Sequence, residues 1–393
     1  MGRLSLLPVG TPDWVARGLQ AAQSLAEEFG FHLVGGSARD LIAGRPLSDL
    51  DLLVSGELEP AAKALAQTVG IAPEEIKYSP FLTARLGGID LARARRERYR
   101  QAAALPEVAP ADLKEDLGRR DYSVNALAIA LADQSVLDLY AGQRDLRRGL
   151  LRIIKKNSFW EDPTRIVRGA RIGGRLGLVW EQDTGRAAVQ NGRLLRELSP
   201  DRLGREIDLL WQETNCPACL ELLEAVGALA MIWPKRTTVK ADATRALRAC
   251  RLLGIKGHDR SRAVRAVIFD DNALLAFPDA DREISAYLLN ISPRLRQADD
   301  ADLVDLLDAV PLWGLGFLLA KEPSLRRVIL RYRFAVRRVQ SALRGQDLLA
   351  LGYAPGPAVG RVLRALRHER LRGNITNRLE EIEWALAYLR GGA

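Results

Sequence analysis

The sequence predicts an α+β chain, with a mixed α/β head carrying a small sheet and an all-helical remainder. Two observations predict it. Strand-like segments gather in residues 1–150, and from about residue 151 apolar positions recur at three- and four-residue spacing, as in DRLGREIDLLWQ and ADLVDLLDAV. The chain has 393 residues and 48% hydrophobic content, enough for a sizeable core and several structural units.

The head opens with LVGGSARDLIAGRPLSDLDLLVSG, which reads as a strand (Phe31 to Val34), a glycine turn, a short helix and a second strand (Leu50 to Val54). Further strands are expected at Phe81–Leu86, Ile89–Ala92 and Val136–Leu139, with PAAKALAQTVG as an intervening helix. Breaks at Ser199-Pro200, near Pro234, at Ile291-Ser292-Pro293 and at Pro355-Gly356-Pro357 punctuate the helical part. The expected division is 1–150, 151–215, 216–295 and 296–393.

The bulk properties narrow the class. No run of 18 or more uncharged apolar residues occurs, so no membrane partner is expected. The N-terminal MGRLSLLPVGTPDW, interrupted by Pro8 and Pro12, makes a poor signal peptide. Three cysteines do not make a disulfide framework, and a cytoplasmic location is expected. Cys216 and Cys219 form CPAC, but only His32, His258 and His368 accompany them, so they read as packing residues and not as zinc ligands. The net charge is +9, and only nine of the 58 basic residues are Lys. Arg binds phosphate bidentately and stacks on bases, which suits a nucleic-acid partner. From Pro323 to Leu379 there are 13 arginines against Asp347 and Glu369, whereas five aspartates lie between Asp299 and Asp308. Charge sorted into such blocks predicts a basic surface.

Asp49 and Asp51 carry the chemistry. Residues i and i+2 of a strand point to one face, so both carboxylates project together at the edge of an apolar strand. Their mutual repulsion is removed by a divalent cation, and hard oxygen ligands suit Mg²⁺. Just upstream, Gly35, Gly36 and Ser37 bring backbone N–H groups to a helix N-terminus, where an anion is favoured, and Arg39 offers a fork to phosphate oxygens. Either half alone is weak, but together they indicate metal-assisted chemistry on a nucleoside triphosphate. Asp90, which follows Gly87-Gly88, is either a third acidic helper on a neighbouring strand or a solvated strand start.

Three further stretches add to this. Five arginines between Arg93 and Arg100 belong either to a mobile basic loop or to a solvated surface helix. In GRRDYSVNALAIAL, Arg119, Arg120 and Asp121 precede an apolar helix that Ser123 would cap, and Asn125 needs a specific partner. In SFWEDPTRIVRGARIGGRLG, Glu161 and Asp162 precede Pro163 at a first helical turn, and Asp162 and Arg165 are expected on one helix face. Arg168 and Arg171 continue that stripe, beside Gly169, Gly173 and Gly174, which suit a close approach to the backbone.

With these motifs in this order, the chain resembles the class II tRNA nucleotidyltransferases and bacterial poly(A) polymerases of the polymerase-β superfamily. GGSARD with DLD resembles the first family motif, RRDYSVNA is similar to RRDFTINA, and EDPTRIVRGARIGGRL is similar to EDPxRxLRxxRFxxRL. SPDRLGREI resembles S-x-E-R-x-x-x-E with Asp201 in place of Glu, and residues 345–385 resemble the family's C-terminal stretch. Tyr122 and Ile172 stand where Phe is usual. The resemblance implies a nucleotidyltransferase head followed by a helical neck, body and basic, tRNA-binding tail. It implies that Asp49 and Asp51 hold catalytic Mg²⁺ with Asp90 as helper, and that Gly35, Gly36, Ser37 and Arg39 hold the triphosphate. Arg120 and Asp121 would contact the sugar and phosphates. Asp162 and Arg165 would bond to the incoming base of CTP or ATP, steadied by Glu161. The segment Arg93–Asp112 is where the family's flexible loop lies, which matters for adding A. The implied reaction is addition of C and/or A to the tRNA 3′ end. Poly(A) polymerase is the alternative within the family, and a non-catalytic RNA-binding protein is the alternative outside it.

Overall fold

The computed structural model describes residues 7–235, 237–268 and 278–391. The first six residues of the stretch judged a poor signal peptide lie outside the described residues. The chain divides into two compact units, residues 1–235 and 236–393.

The first unit is built on β1 (Phe31–Val34), β2 (Leu50–Val54), β3 (Lys77–Ser79), β4 (Thr83–Leu86), β5 (Ile89–Arg93), β8 (Ala128–Ala130) and β9 (Val136–Leu137). These form one seven-stranded sheet in the order β3-β4-β5-β2-β1-β8-β9. Within it β2 and β5 run parallel, and the other neighbours are antiparallel. The period of two decides the faces. Leu50, Leu52 and Val54 enter a core shared with Val15 and Leu19 of α1 (Asp13–Ser24) and Ala61 and Leu65 of α3 (Leu58–Val69). Leu53 belongs to the opposite core, with Val34, Ala94, Leu117 and Ala128, and that alternation places Asp51 on its face of β2, with Asp49 just before the strand. Between β1 and β2 runs α2 (Gly35–Ile42). Its first residue, Gly35, has φ of 62°, a left-handed conformation that favours glycine and lets the strand turn directly into the helix.

Two sequence expectations fail within this unit. The arginine-rich segment is neither a loop nor a helix. β6 (Arg95–Arg98) and β7 (Glu107–Pro110) form an antiparallel hairpin, in which Arg95 and Glu97 are less exposed than Arg96 and Arg98. The apolar run after Ser123 is likewise not a helix. Ser123–Asn125 form a single 3₁₀ turn, and Ala128 and Ile129 of β8 enter the two opposite cores. Such a short run, buried on both sides, has no period to distinguish strand from helix. Ser123 donates to Asp145 (2.8 Å) instead of capping a helix.

The helices that follow are α5 (Thr164–Leu176), α6 (Pro200–Gln212) and α7 (Cys216–Ala225), while α4 (Leu113–Gly118) precedes the RRD motif. Ser199 caps α6 by accepting from the Arg202 N–H, so the Ser-Pro break is a helix start. The glycines of α5 do admit a close approach, but of protein. A Cβ at Gly169 would lie 2.1 Å from the Tyr122 hydroxyl and 2.6 Å from Trp180, and one at Gly174 would lie 2.4 Å from Cys219 Sγ. Cys216 and Cys219 are buried and in no disulfide, Cys219 is part of this packing, and burial, aided by Glu213, pushes the Cys219 thiol up to about 12.

The second unit is helical throughout its described residues. Its α12 (Leu312–Lys321) is buried on nearly every side, which explains its unbroken apolar sequence. No single helix among the described residues is long and apolar enough to cross a membrane. Helix Asp279–Leu295 runs through Pro293, so the predicted break falls instead at residues 296–299. A proline within the last turn removes one hydrogen bond and leaves the rest of the helix intact. The charge blocks also meet. Asp300 pairs with Arg331 (2.9 Å), Asp299 with Arg372 (3.6 Å), Asp305 with His368 (3.1 Å) and Asp308 with Arg367. Arg326, Arg327, Arg338, Arg344, Arg361 and Arg364 are exposed and make no ion pair among the described residues.

Candidate active site

Asp49 and Asp51 are fixed through their backbone by the turn that precedes them. The buried Ser37 hydroxyl donates to the Asp49 carbonyl (3.0 Å) and accepts from the Asp51 N–H (2.9 Å). Ser37 is therefore a clamp between the glycine turn and the carboxylate pair. A Cβ at Gly35 would lie 3.4 Å from Asp51 Oδ2 and 3.1 Å from Arg120 Nη1, so carboxylate and guanidinium converge over that glycine. Burial raises the Asp51 pKa above its ordinary value, Arg120 opposes this, and Asp49 and Asp90 add to it. A carboxylate held near a like charge at a cost in solvation suits a hard cation.

Asp90 is in register with Asp51 across β2 and β5, as the neighbouring-strand reading requires. Its carboxylate is 54% exposed and pairs with Arg85 (3.2 Å). Among the described residues no group of three or more His, Cys, Asp or Glu side chains is gathered as a metal site. Asp49 and Asp51 thus stand as a pair, and a cation held there would need further ligands from substrate or water.

Arg39 is used differently from a free phosphate fork. Its guanidinium is buried and bidentate on Asp40 (2.8 and 2.9 Å), and Nη1 donates to Asn125 Oδ1 (2.6 Å). Asn125 then donates to Asp121 Oδ1 (3.1 Å), which also accepts from the Tyr122 N–H (2.8 Å). The partner that Asn125 needs is therefore double. Arg120 is held by Asp116 through Nε and Nη2 (3.2 and 3.0 Å). The other Asp116 oxygen holds Arg119 (2.7 Å). Burial alone would raise the Asp116 pKa, but Arg120 and Arg119 overcome it and hold the carboxyl below its ordinary range.

A cleft of about 560 Å³ runs from Gly35 and Gly36 past Arg120, Asp121 and Asn125 to Asp162 and Arg165. A smaller cavity of about 250 Å³ is lined by Ser37, Asp49 and Asp51 together with Arg171 and Arg175. Gly36, Asn125 and Arg168 border both.

Asp162 and Arg165 are not side by side on one helix. Helix α5 begins at Thr164, and Asp162 stands before it in extended backbone, accepting from the Thr164 N–H (3.0 Å) and hydroxyl (2.6 Å). Arg202 also donates to Asp162 Oδ1 (3.0 Å), which leaves Oδ2 without a donor among the described residues. Arg165 is buried and donates to Ser158 (2.8 Å), to Glu161 (3.4 Å) and to the Arg119 carbonyl (3.2 Å), while its Nε–H has no acceptor among the described residues. Glu161 steadies Arg165 and not Asp162. Arg168 and Arg171 share Glu206 (2.8 and 2.6 Å), and Arg171 also reaches Glu213 (3.2 Å).

Sequence reasoning missed Asp116, Glu97, Arg202, Glu206 and Glu213. Glu97 binds Arg95 (3.0 Å), Arg119 (2.8 Å) and the Tyr99 hydroxyl (3.0 Å). Some signal existed. Asp116 stands three and four residues before Arg119 and Arg120, and Arg202 stands four before Glu206 on α6.

Residues 31–152 match the family described as the poly A polymerase head domain. The A-adding tRNA nucleotidyltransferase of Halalkalibacterium halodurans is 30% identical over 380 residues, covering 90% of this chain and 87% of that protein. The CC-adding tRNA nucleotidyltransferase of Deinococcus radiodurans is 32% identical over 365 residues, covering 91% and 89%. Among solved structures, the Thermotoga maritima CCA-adding enzyme complexed with tRNA superposes with a TM-score of 0.67 at 23% identity, over 98% of both chains, a likeness of fold.

Proposed function

This chain belongs to the tRNA nucleotidyltransferase family, and on that premise we propose that it adds C and/or A to the tRNA 3′ end from CTP and ATP. The observation that carries the reading is a pair of adjoining cavities that share Gly36, Asn125 and Arg168, one lined by the carboxylate pair and the other by Asp162 and Arg165. C and A both carry an exocyclic amino donor beside a ring-nitrogen acceptor. Asp162 Oδ2 accepts from the amino group and Arg165 Nε–H donates to the ring nitrogen. U and G leave these groups unpaired, which makes polar selection of this kind strong.

Asp49 and Asp51 are the residues that would hold Mg²⁺, which when bound activates the attacking hydroxyl and neutralises phosphate charge. The protein's own contribution is positioning. Arg120, kept in place by Asp116, aims charge at the phosphates beside the Gly35–Gly36 turn. Arg39, through Asn125, orients Asp121 toward the ribose. The terminal 3′-OH of the RNA attacks the α-phosphorus, and pyrophosphate leaves on the opposite side. Exposed arginines of residues 323–379 contact the tRNA body through its phosphates.

The two relatives that span nearly the whole chain are named for different partial specificities, one A-adding and one CC-adding. The test supplies CTP alone, ATP alone and both to tRNAs lacking one, two or three of their terminal nucleotides. Incorporation of C, of A, or of both in the order C, C, A supports the reading and fixes the set. Long poly(A) on unrelated RNA, or no transfer to any tRNA with Mg²⁺ present, would sink it.

A further inference from the structure

We propose that a third cavity of the first unit is a phosphate-binding site, separate from the two cavities described above. The inference goes beyond the nucleotidyltransferase reading and stands without it. Four cations, Arg96, Lys114, Arg119 and Lys155, line this space of about 500 Å³ together with two carboxylates, Glu97 and Glu115. Only Glu97 and Arg119 also line the larger cleft, and no residue is shared with the smaller cavity. The cations come from separate segments of the chain. Arg96 belongs to β6, Lys114 to α4, and Lys155 follows the strand pairing of Leu150 and Leu151. Bringing like charges from three segments to one hollow costs repulsion, which a bound anion removes.

Internal pairing decides which charges are left over. Arg119 is closed on Asp116 and Glu97, and Glu97 also holds Arg95. Glu115 completes the capping box of α4 by accepting from the Asp112 N–H (3.4 Å). Arg96 and Lys114 are exposed and make no ion pair or side-chain hydrogen bond among the described residues. Lys155 has one long pair, to Glu161 (3.9 Å). The lining therefore carries an excess of two positive charges. It also carries a neutral donor. The Tyr140 hydroxyl makes no hydrogen bond among the described residues. A Cβ at Gly118 would stand 2.7 Å from that hydroxyl, so the glycine makes room for it. Guanidinium, ammonium and phenol groups are all donors, and phosphate offers acceptor oxygens in several directions with up to two charges. A carboxylate brings one charge and two oxygens, a poorer match. The phosphate is either free, as in pyrophosphate, or part of an RNA backbone.

The experiment follows the rate of chemical acetylation of Lys114 in the full chain by mass spectrometry, without metal, against inorganic pyrophosphate and, separately, tRNA. At about ten times the half-saturating concentration, the rate at Lys114 should fall about tenfold, because only the unliganded fraction reacts. Lys156 is exposed and does not line the cavity, so it serves as the internal control and should react as before. Arg96→Ala removes one charge-assisted contact and no internal one, and should raise the half-saturating concentration about tenfold. Arg96→Lys, which keeps the charge, should recover most of the affinity. Protection by pyrophosphate assigns a free phosphate, and protection by tRNA alone assigns the RNA backbone. Protection of Lys114 by neither probe, equal protection of Lys156, or an unchanged half-saturation in Arg96→Ala overturns the site. Transfer of C and A by the same wild-type protein is measured alongside. Its absence would count against the function reading and leave the phosphate site standing.

Discussion

Substituting Gly169 by Ala sets two physical effects against each other. On helix propensity alone, Ala should stabilise α5 by about 1 kcal/mol. The packing predicts the reverse. The added Cβ would stand 2.1 Å from the Tyr122 hydroxyl, 2.6 Å from Tyr122 Cζ and 2.6 Å from Trp180. Tyr122 is fully buried, bridges to Ile153 through its backbone and donates its hydroxyl to the Arg165 carbonyl (2.5 Å). It has no room to retreat without giving up that bond. Overpacking costs roughly 1–3 kcal/mol, and a buried bond lost on one side costs a further 1–3. Against the propensity gain, the net is a loss of about 3 kcal/mol. At roughly 2–4 °C per kcal/mol for a unit of this size, the first unit's Tm should fall by about 6–12 °C. Calorimetry measures this directly, and KM for ATP or CTP should rise as Arg165 shifts. Removing the nearest atom in the double variant with Tyr122→Phe should recover part of the loss, a coupling that a thermodynamic cycle reads. An unchanged or raised Tm in Gly169→Ala would refute the reasoning, since only propensity would then be operating.

Other consequences are equally direct. Asp49→Ala and Asp51→Ala should each abolish transfer while leaving tRNA binding by filter assay near wild type; retained transfer in both would sink the assigned chemistry. Asp51 has a raised pKa, so the unliganded folded state is favoured by its protonation, and that contribution is lost as pH rises through the raised value. Asp51→Asn should therefore raise the Tm of the metal-free protein at neutral pH, and the difference should fade as pH falls below the raised value, toward pH ~4. Asp116→Ala leaves Arg119 and Arg120, both largely buried, without their shared carboxylate, and should destabilise the first unit by about 3 kcal/mol in urea unfolding.

Legibility followed the range of the interaction that fixes each feature. The β1–turn–β2 unit, the paired aspartates and the packing cysteines were readable because a few neighbouring residues decide them. The hairpin of β6 and β7 was not. Its strands are rich in charge, and what holds Glu97 is Arg119, 22 residues on. Arg39 looked like a phosphate fork because Asp40 is adjacent in sequence yet Asn125, its other partner, is 86 residues away. Asp162 and Arg165 were found as a pair by spacing, but their separate anchoring came from Arg202 and from the Arg119 carbonyl, both remote in sequence. The strand at Ala128–Ala130 was misread since burial on both sides erases periodicity.

The internal pairing of the cleft arginines makes the site behave as an ion exchanger. Arg95, Arg119, Arg120, Arg165, Arg168 and Arg202 each already neutralise a protein carboxylate. On the proposed reading, an incoming triphosphate would displace resident anions from these cations, and the net gain would be the difference between two charge-assisted contacts. Binding is thereby moderated, and the displaced carboxylates are ready to reclaim their partners when pyrophosphate departs. An enzyme that must release one product and accept another nucleotide would gain speed from such reversibility, because these six guanidiniums would regain their carboxylates between turnovers.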